Sequence, residues 1–384
     1  MTKPTLPFEP AEYARRLAAV RRGMAAKGVE VLITAIPENI YYLTGYDSMG
    51  YFTYQVLIIP LEGEMIFLTR ALNLDKVLLT SCLERVEGWD DLSSPAEATF
   101  RVLKQYKLER MSIANQNDAW FLSVAHYKHI CERLGRAELL DGSALIEAVR
   151  LRKSPQEIAC IRHAAKAATA SLAAALAATR AGTHDHDIAA EASRALISAG
   201  SEYLGHSFQI VAGTEAGLSF ETWGRRRIKP DDCVYMEMGG AYLRYHAMIS
   251  RTVLVGRPDA RLVGMAEVSR EALAAAREAM RPGASAGAVD FAARDLIARA
   301  GFADAFKHRT GYSVGIGYPP DWGEGRIQSI KENDATLLEA GMVFHLIPDL
   351  KIAGLGGAVC SETVLVTEGG CEVLTPFSYE IPRK

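Results

Sequence analysis

CVYMEMGGAYLRYHAMISRTVLVG, residues 233–256, is the stretch whose reading decides the fold. It reads as two strands joined by a glycine-containing turn. On the first strand Val234, Met236 and Met238 alternate with Tyr235 and Glu237, so the two sets face opposite sides of a sheet. Gly239 and Gly240 are expected to turn the chain, since glycine tolerates positive φ. Glu237 is a carboxylate in the middle of an apolar strand. Burying a lone carboxylate is costly, so Glu237 either lies on a solvated face or has a partner or a task.

Working outward, the chain of 384 residues is long enough for two domains. Its 49% hydrophobic and 23% charged content is that of an ordinary globular protein, and a net charge of −3 leaves no nucleic-acid footprint. The six cysteines, at 82, 131, 160, 233, 360 and 371, form no CxxC pair, which argues against a zinc knuckle or a disulfide framework and suits a reducing compartment. The first residues lack an apolar core of signal-peptide length, and no uncharged run is long enough to span a bilayer. A cytoplasmic protein with no membrane partner is the expectation.

Residues 10–27 carry Tyr13, Leu17, Val20 and Met24 at helical spacing before Gly28. Strands are expected at 29–35, 55–60 and 64–69, and α/β alternation continues to about residue 140. YDSMGYFTYQ, residues 46–55, is an aromatic loop, read either as a satellite hydrophobic cluster or as a contact surface reaching a subunit or ligand. At the boundary, Arg152 and Lys153 form an exposed basic pair ahead of a capping box, Ser154-Pro155-Gln156-Glu157, that opens a long alanine-rich helix. A second helix starts near Asp185, where the run His184 to Asp187 is read as a solvated cap rather than a metal cluster. Strands, two helices near 262–279 and 287–300, and further short strands follow. The expected class is α+β: an α/β domain over 1–147, then a curved antiparallel sheet covered by helices over 148–384.

RKSPQEIACIRHA (152–164), YHAMISRTVLVG (245–256), HRTGYSVGIG (308–317), GMVFHLIP (341–348) and SETVLVTEGG (361–370) occur in order. Together they resemble the pita-bread fold shared by prolidase, aminopeptidase P, creatinase and ectoine hydrolase, with a creatinase-like N-terminal domain. The peptidase branch of that fold binds two divalent metals through two aspartates, a histidine and two glutamates. The matching positions here hold Glu237, Met248, Tyr312, Ile347 and Ser361. Such a set cannot hold a pair of hard cations, so the resemblance implies a site without metal or other cofactor. Phe220 and Ser250 stand where creatinase has its histidine and hairpin glutamate.

The ectoine hydrolase pattern is the better match. RYH and SRT at 244–246 and 250–252, TGYS at 310–313 and YPPDWGE at 318–324 all resemble it. One departure is Phe220, where that family has a histidine two residues before its threonine–tryptophan pair, here Thr222-Trp223. The resemblance implies a hydrolase that opens a cyclic amidine, with ionised Glu237 as the nucleophile. His246, His345, Tyr312 and Glu362 are candidate proton donors. Arg326 or Arg244 would bind a substrate carboxylate, and Trp322 and Tyr318 would stack on a planar cation. Trp223 and Tyr51, the latter from the aromatic loop, complete the expected substrate contacts. The relatives imply a homodimer in which that loop approaches the partner's pocket. A peptidase-like or creatinase-like enzyme with a divergent site, and a binding protein without turnover, are the alternatives.

Overall fold

A computed structural model describes residues 6–384. The chain divides into two compact units, Met1–Arg150 and Leu151–Lys384. The first holds a six-stranded mixed sheet: β1 (Val31–Thr34), β2 (Val56–Pro60), β3 (Ile66–Arg70), β4 (Arg85–Trp89), β5 (Ile113–Asn115) and β6 (Leu140–Asp141), in the order β4-β3-β2-β1-β5-β6. Strand β1 pairs antiparallel with β2 and parallel with β5. Val31, Ile33, Val56, Ile58 and Leu68 pack with Val102, Leu103 and Ile130 of two flanking helices into one core. The first helix, Pro10–Ala26, buries Tyr13, Val20 and Met24, as its periodicity requires.

The second unit opens with the helix Pro155–Ala178. Ser154 Oγ accepts from the backbone of Glu157, and the Glu157 carboxylate accepts from the backbone of Ser154, so the capping box closes in both directions. The strands that follow are β7 (Gln209–Ala212), β8 (Cys233–Tyr242) and β9 (Tyr245–Leu254), an antiparallel sheet with β8 in the middle. A second antiparallel sheet contains β10 (Gly311–Ser313), β11 (Ser329–Ile330), β12 (Val343–Leu346), β15 (Glu362–Thr367) and β16 (Gly370–Val373). The short pair β13 (Leu350–Ile352) and β14 (Gly356–Ala358) stands beside it. Bridges Tyr245↔Ile316 and Ser250↔Ser361 tie the two larger sheets. The helices Ala260–Ala279 and Ala286–Arg299 cover one face, where Met265, Leu273, Val289, Phe344, Leu346 and Val364 form the main core. The second unit has the pita-bread architecture and the first is a creatinase-type α/β unit.

The hairpin corrects the expected turn. Gly239 and Gly240 lie inside β8, and the chain reverses at Leu243 (φ 47°) and Arg244 (φ 61°). Close approach explains the glycines. A Cβ on Gly240 would stand 2.1 Å from the carbonyl oxygen of Ala164, and one on Gly239 2.8 Å from the Trp322 ring. The alanine-rich helix lies directly on the hairpin because neither side carries bulk there.

Two further expectations change. Lys153 is buried, not exposed. Asp185 is no solvated cap: it is fully buried and accepts from the backbone of Gly224 (2.8 Å) and from Arg226 (3.2 Å). The basic run 224–227 is thereby anchored to the start of the helix Asp185–Ser198.

Candidate active site

Glu237 sits in mid-strand with neighbours on both sides, Gln209 on β7 and Ser250 on β9. It is 4% exposed, which removes the solvated-face reading. Gln209 Nε2 donates to its Oε2 at 3.1 Å. Nδ1 of His345 lies 3.8 Å from its other oxygen. Two residues earlier on the same face, the Tyr235 hydroxyl donates to Asp349 (3.4 Å). Lys351 Nζ is 3.0 Å from that carboxylate and 4.7 Å from the Tyr235 ring centroid. Burial pushes the Glu237 carboxyl up to about 8; Lys351 pulls it back and Asp349 pushes it further. The ligand-free acid is therefore mostly protonated at neutral pH.

His345 on β12 makes bonds through both ring nitrogens: Nδ1 to the Tyr312 hydroxyl at 3.0 Å and Nε2 to Ser361 Oγ at 2.7 Å. The Trp322 indole can only donate, and it reaches the Tyr312 oxygen at 3.3 Å. The phenol then donates to Nδ1, and Nε2–H donates to Ser361. Burial, aided by His308 and Arg309 nearby, pushes the His345 imidazole down to about 3. Burial, then Glu237, raises the Tyr312 phenol well above its ordinary value. Both groups are neutral at working pH. The buried Ser250 hydroxyl, directly across from Glu237, has no hydrogen-bond partner among the described residues.

Other expected site residues are engaged elsewhere. His246 is fully buried, its Nδ1 against the Arg244 carbonyl (2.9 Å) and its Nε2 accepting from the backbone of Gly205 (3.0 Å). Burial and Arg244 push its imidazole down to about 3, so it is a structural residue and not the proton donor. Arg244 donates to the carbonyls of Tyr203 (2.7 Å) and Gly317 (2.6 Å), and its guanidinium lies over Tyr203 and Tyr318. Arg244 therefore does not reach a substrate carboxylate, and the Tyr318 ring stacks on a protein cation rather than on a ligand. Glu362 also fails as a site residue. It pairs with Leu346 of the core, on the helix-covered face, and meets Arg277 (3.3 Å) and the Tyr379 hydroxyl. Side chains alternate along a strand, so Ser361 faces the site and Glu362 cannot.

Trp223 packs its ring on Phe208 (4.8 Å), beside Gln209, while Arg326 is exposed on the segment after Glu324. Tyr51 lies in the first unit, edge-on to Phe121 at 5.5 Å. Sequence reasoning missed Gln209, Tyr235, Asp349, Lys351 and Arg309. Asp349 and Lys351 directly follow GMVFHLIP, and that adjacency was the one signal available. A cleft of about 830 Å³ includes Leu204, His206, Phe208 and Pro319 in its lining, and His206 meets Trp322 at 5.0 Å.

The positions assigned to cation ligands bring Glu237, Tyr312 and Ser361 together but fill the rest with buried, apolar Met248 and Ile347. Among the described residues no group of three or more His, Cys, Asp or Glu side chains is arranged to hold a metal ion. One carboxylate with a phenol and a hydroxyl does not fit a pair of divalent cations.

This fold and site belong to a known lineage. Residues 159–368 match metallopeptidase family M24 and residues 16–152 match the creatinase/prolidase N-terminal domain; the chain belongs to that family. Within it, the chain is 30% identical to the ectoine hydrolase of Halomonas elongata, with 99% of each chain covered. It is equally, 30%, identical to an uncharacterised hydrolase/peptidase of Sinorhizobium fredii, again over 99% of both. Among solved structures, a dipeptidase of Mycobacterium ulcerans superposes with a TM-score of 0.84 at 25% identity, covering 98% of this chain and 99% of that one. A prolidase of Thermococcus sibiricus superposes at 0.87 and 24% identity, covering 97% and 99%, and shows the shared fold. The protein is thus related to hydrolases. No helix among the described residues is long and apolar enough to cross a membrane.

Proposed function

We propose that the protein is a metal-independent hydrolase of a cyclic amidine of the ectoine type, acting on a C–N bond other than a peptide bond. The observation that carries this reading is the buried, isolated carboxylate of Glu237, among neutral donors where the family's cation ligands would otherwise stand. The resemblance to the Halomonas elongata enzyme supports it. A planar amidinium bound against Glu237 brings a positive charge that lowers the carboxyl's affinity for its proton, which is released to solvent. The carboxylate oxygen bonds to the amidine carbon as the C=N electron pair moves onto nitrogen. One ring nitrogen then leaves as the amine, taking the Tyr312 hydroxyl proton, which the ligand-free site directs at His345. Water adds to the imidate carbon left on Glu237 and the C–O bond to Glu237 breaks; one water proton returns to Tyr312 and the other to the Glu237 carboxylate, leaving an N-acyl amine and the regenerated acid.

The test is direct. Incubation with ectoine is expected to give the ring-opened N-acetyl diamino acid by mass spectrometry, at a rate unchanged by prior dialysis against a chelator. Stoichiometric zinc, manganese or iron in the active protein, with turnover lost on chelation, would refute the reading. So would efficient cleavage of dipeptides with none of ectoine.

The same reading uses the aromatic loop of the first unit as a contact for a second copy of the chain. Met49 is 69% and Phe52 73% exposed, more than a monomer gains from leaving wet. Light scattering is expected to give twice the chain mass; a monomer at micromolar concentration rules the dimer out.

A further inference from the structure

Arg309 is a half-buried cation of the second unit with no carboxylate beside it among the described residues. Arg309 precedes β10, and its guanidinium carbon stands 4.8 Å from the Tyr312 ring centroid. Nη1 donates to Ser329 Oγ at 3.0 Å. Nε is buried and has no partner. Among the described residues no carboxylate pairs with it. The other half-buried arginines of this unit have carboxylates: Arg294 has Asp290 (2.7 Å), Arg277 has Glu362 (3.3 Å), Arg226 has Asp185 (3.2 Å) and Glu221 (2.9 Å), and Arg270 has Glu271 (3.8 Å), while the buried Arg251 is held by backbone carbonyls. A desolvated guanidinium held by a ring face and a hydroxyl is short of an anion.

Its position says where that anion comes from. Tyr312 carries Arg309 against its ring, while its hydroxyl binds His345, which stands 3.8 Å from Glu237. Gly325 packs on the guanidinium: a Cβ there would lie 2.4 Å from Nη2 and 2.7 Å from Cζ and Nη1. With Nη1 donating to Ser329 and Nε without a partner, the Nε–Nη2 edge holds the donors that match a planar, two-oxygen group.

We propose that Arg309 is the carboxylate-binding residue of the site, so that the substrate is an amidine bearing a carboxylate, its reacting carbon at Glu237 and its acid on Arg309. This assignment rests on the hydrolase reading above, and replaces Arg244 and Arg326 in that role. It makes Arg309 a determinant of specificity rather than of chemistry.

The experiment compares wild type with Arg309→Met and Arg309→Lys on two substrates, ectoine and the same ring without its carboxylate. For Arg309→Met, KM for ectoine is expected to rise about 10- to 100-fold, the usual worth of a charge-assisted hydrogen-bond pair, with kcat changed by only a few fold. The carboxylate-free ring should lose far less, so the preference for the acid collapses; Arg309→Lys should restore part of it. Equal losses on both substrates would mean that Arg309 merely props Tyr312, and would overturn the proposal. A calorimetric titration with acetate separates this from failure of the hydrolase reading. If wild type turns over neither ring, saturable acetate binding that Arg309→Met abolishes still supports the anion subsite. If wild type takes up no acetate and shows no preference, there is no such subsite.

Discussion

Turnover by Glu237→Gln is expected to fall by at least about 10³-fold, with KM raised because the amidinium loses its counter-charge. The expectation lies between the loss of a general acid–base group, about 10²- to 10⁴-fold, and the ~10⁶-fold loss of a nucleophile. Glutamine keeps the shape and can still accept from Gln209, but its neutral amide does not attack carbon. The substitution also reports on ionisation. The folded carboxyl, pushed up to about 8 from an ordinary 4.5, holds its proton more tightly than the unfolded one. Its contribution to stability is therefore fully present below the unfolded value and is lost as pH rises through about 8. Glu237→Gln should match wild type near pH 5 and melt higher than wild type at pH 9. At about 1.4 kcal/mol per unit the difference is on the order of a few kcal/mol. In the ligand-free enzyme the attacking form is scarce below pH 8, so kcat/KM for an amidinium should climb as pH rises toward that value and then level off. A variant with wild-type rates, or a rate that falls across this range, would remove Glu237 from its role.

The second large effect lies away from the reacting atoms. Lys153→Met is expected to destabilise the protein by about 3–5 kcal/mol, the usual result of stripping one partner from a buried ion pair. Lys153 Nζ stands 2.7 Å from Glu324, with the two side chains 1% and 2% exposed. It also donates to Ser313 Oγ at 3.2 Å. Glu324 closes the segment that carries Trp322, and through Trp322 the bonds run on to Tyr312 and His345. Denaturant titration should show the loss, together with a fall in kcat as the Trp322 contact loosens. The double variant Lys153→Met, Glu324→Gln should recover most of the stability, because it leaves no unpaired buried charge. A double variant no more stable than the single one would mean that the pair does not hold this segment.

The residues misplaced by sequence reasoning share one cause. Lys153 follows an arginine before a capping box, and Arg244 stands in a two-residue turn; locally both look solvated. Each is buried by segments far along the chain, Lys153 by Glu324 and Arg244 by Tyr203 and Tyr318. Gly239-Gly240 looked like a turn because glycine has two uses, and only Ala164 and Trp322 show that close approach is the one in force here. Glu362 was the avoidable error. Its neighbour Ser361 occupies a family ligand position, and strand alternation alone puts Glu362 on the opposite face.

By itself the sequence determined the order of elements and the membership of the fold family, and through that resemblance it marked Glu237 as the one carboxylate among the five expected ligand positions. Those properties are written in contiguous strings, where residue identity and spacing carry the information. Only the tertiary structure decided that Glu237 is protonated when alone, that His246 and His345 are neutral, and that Lys351, Asp349 and Arg309 surround the site. Charge state follows from desolvation and from groups brought in across more than a hundred residues, and no local periodicity encodes either.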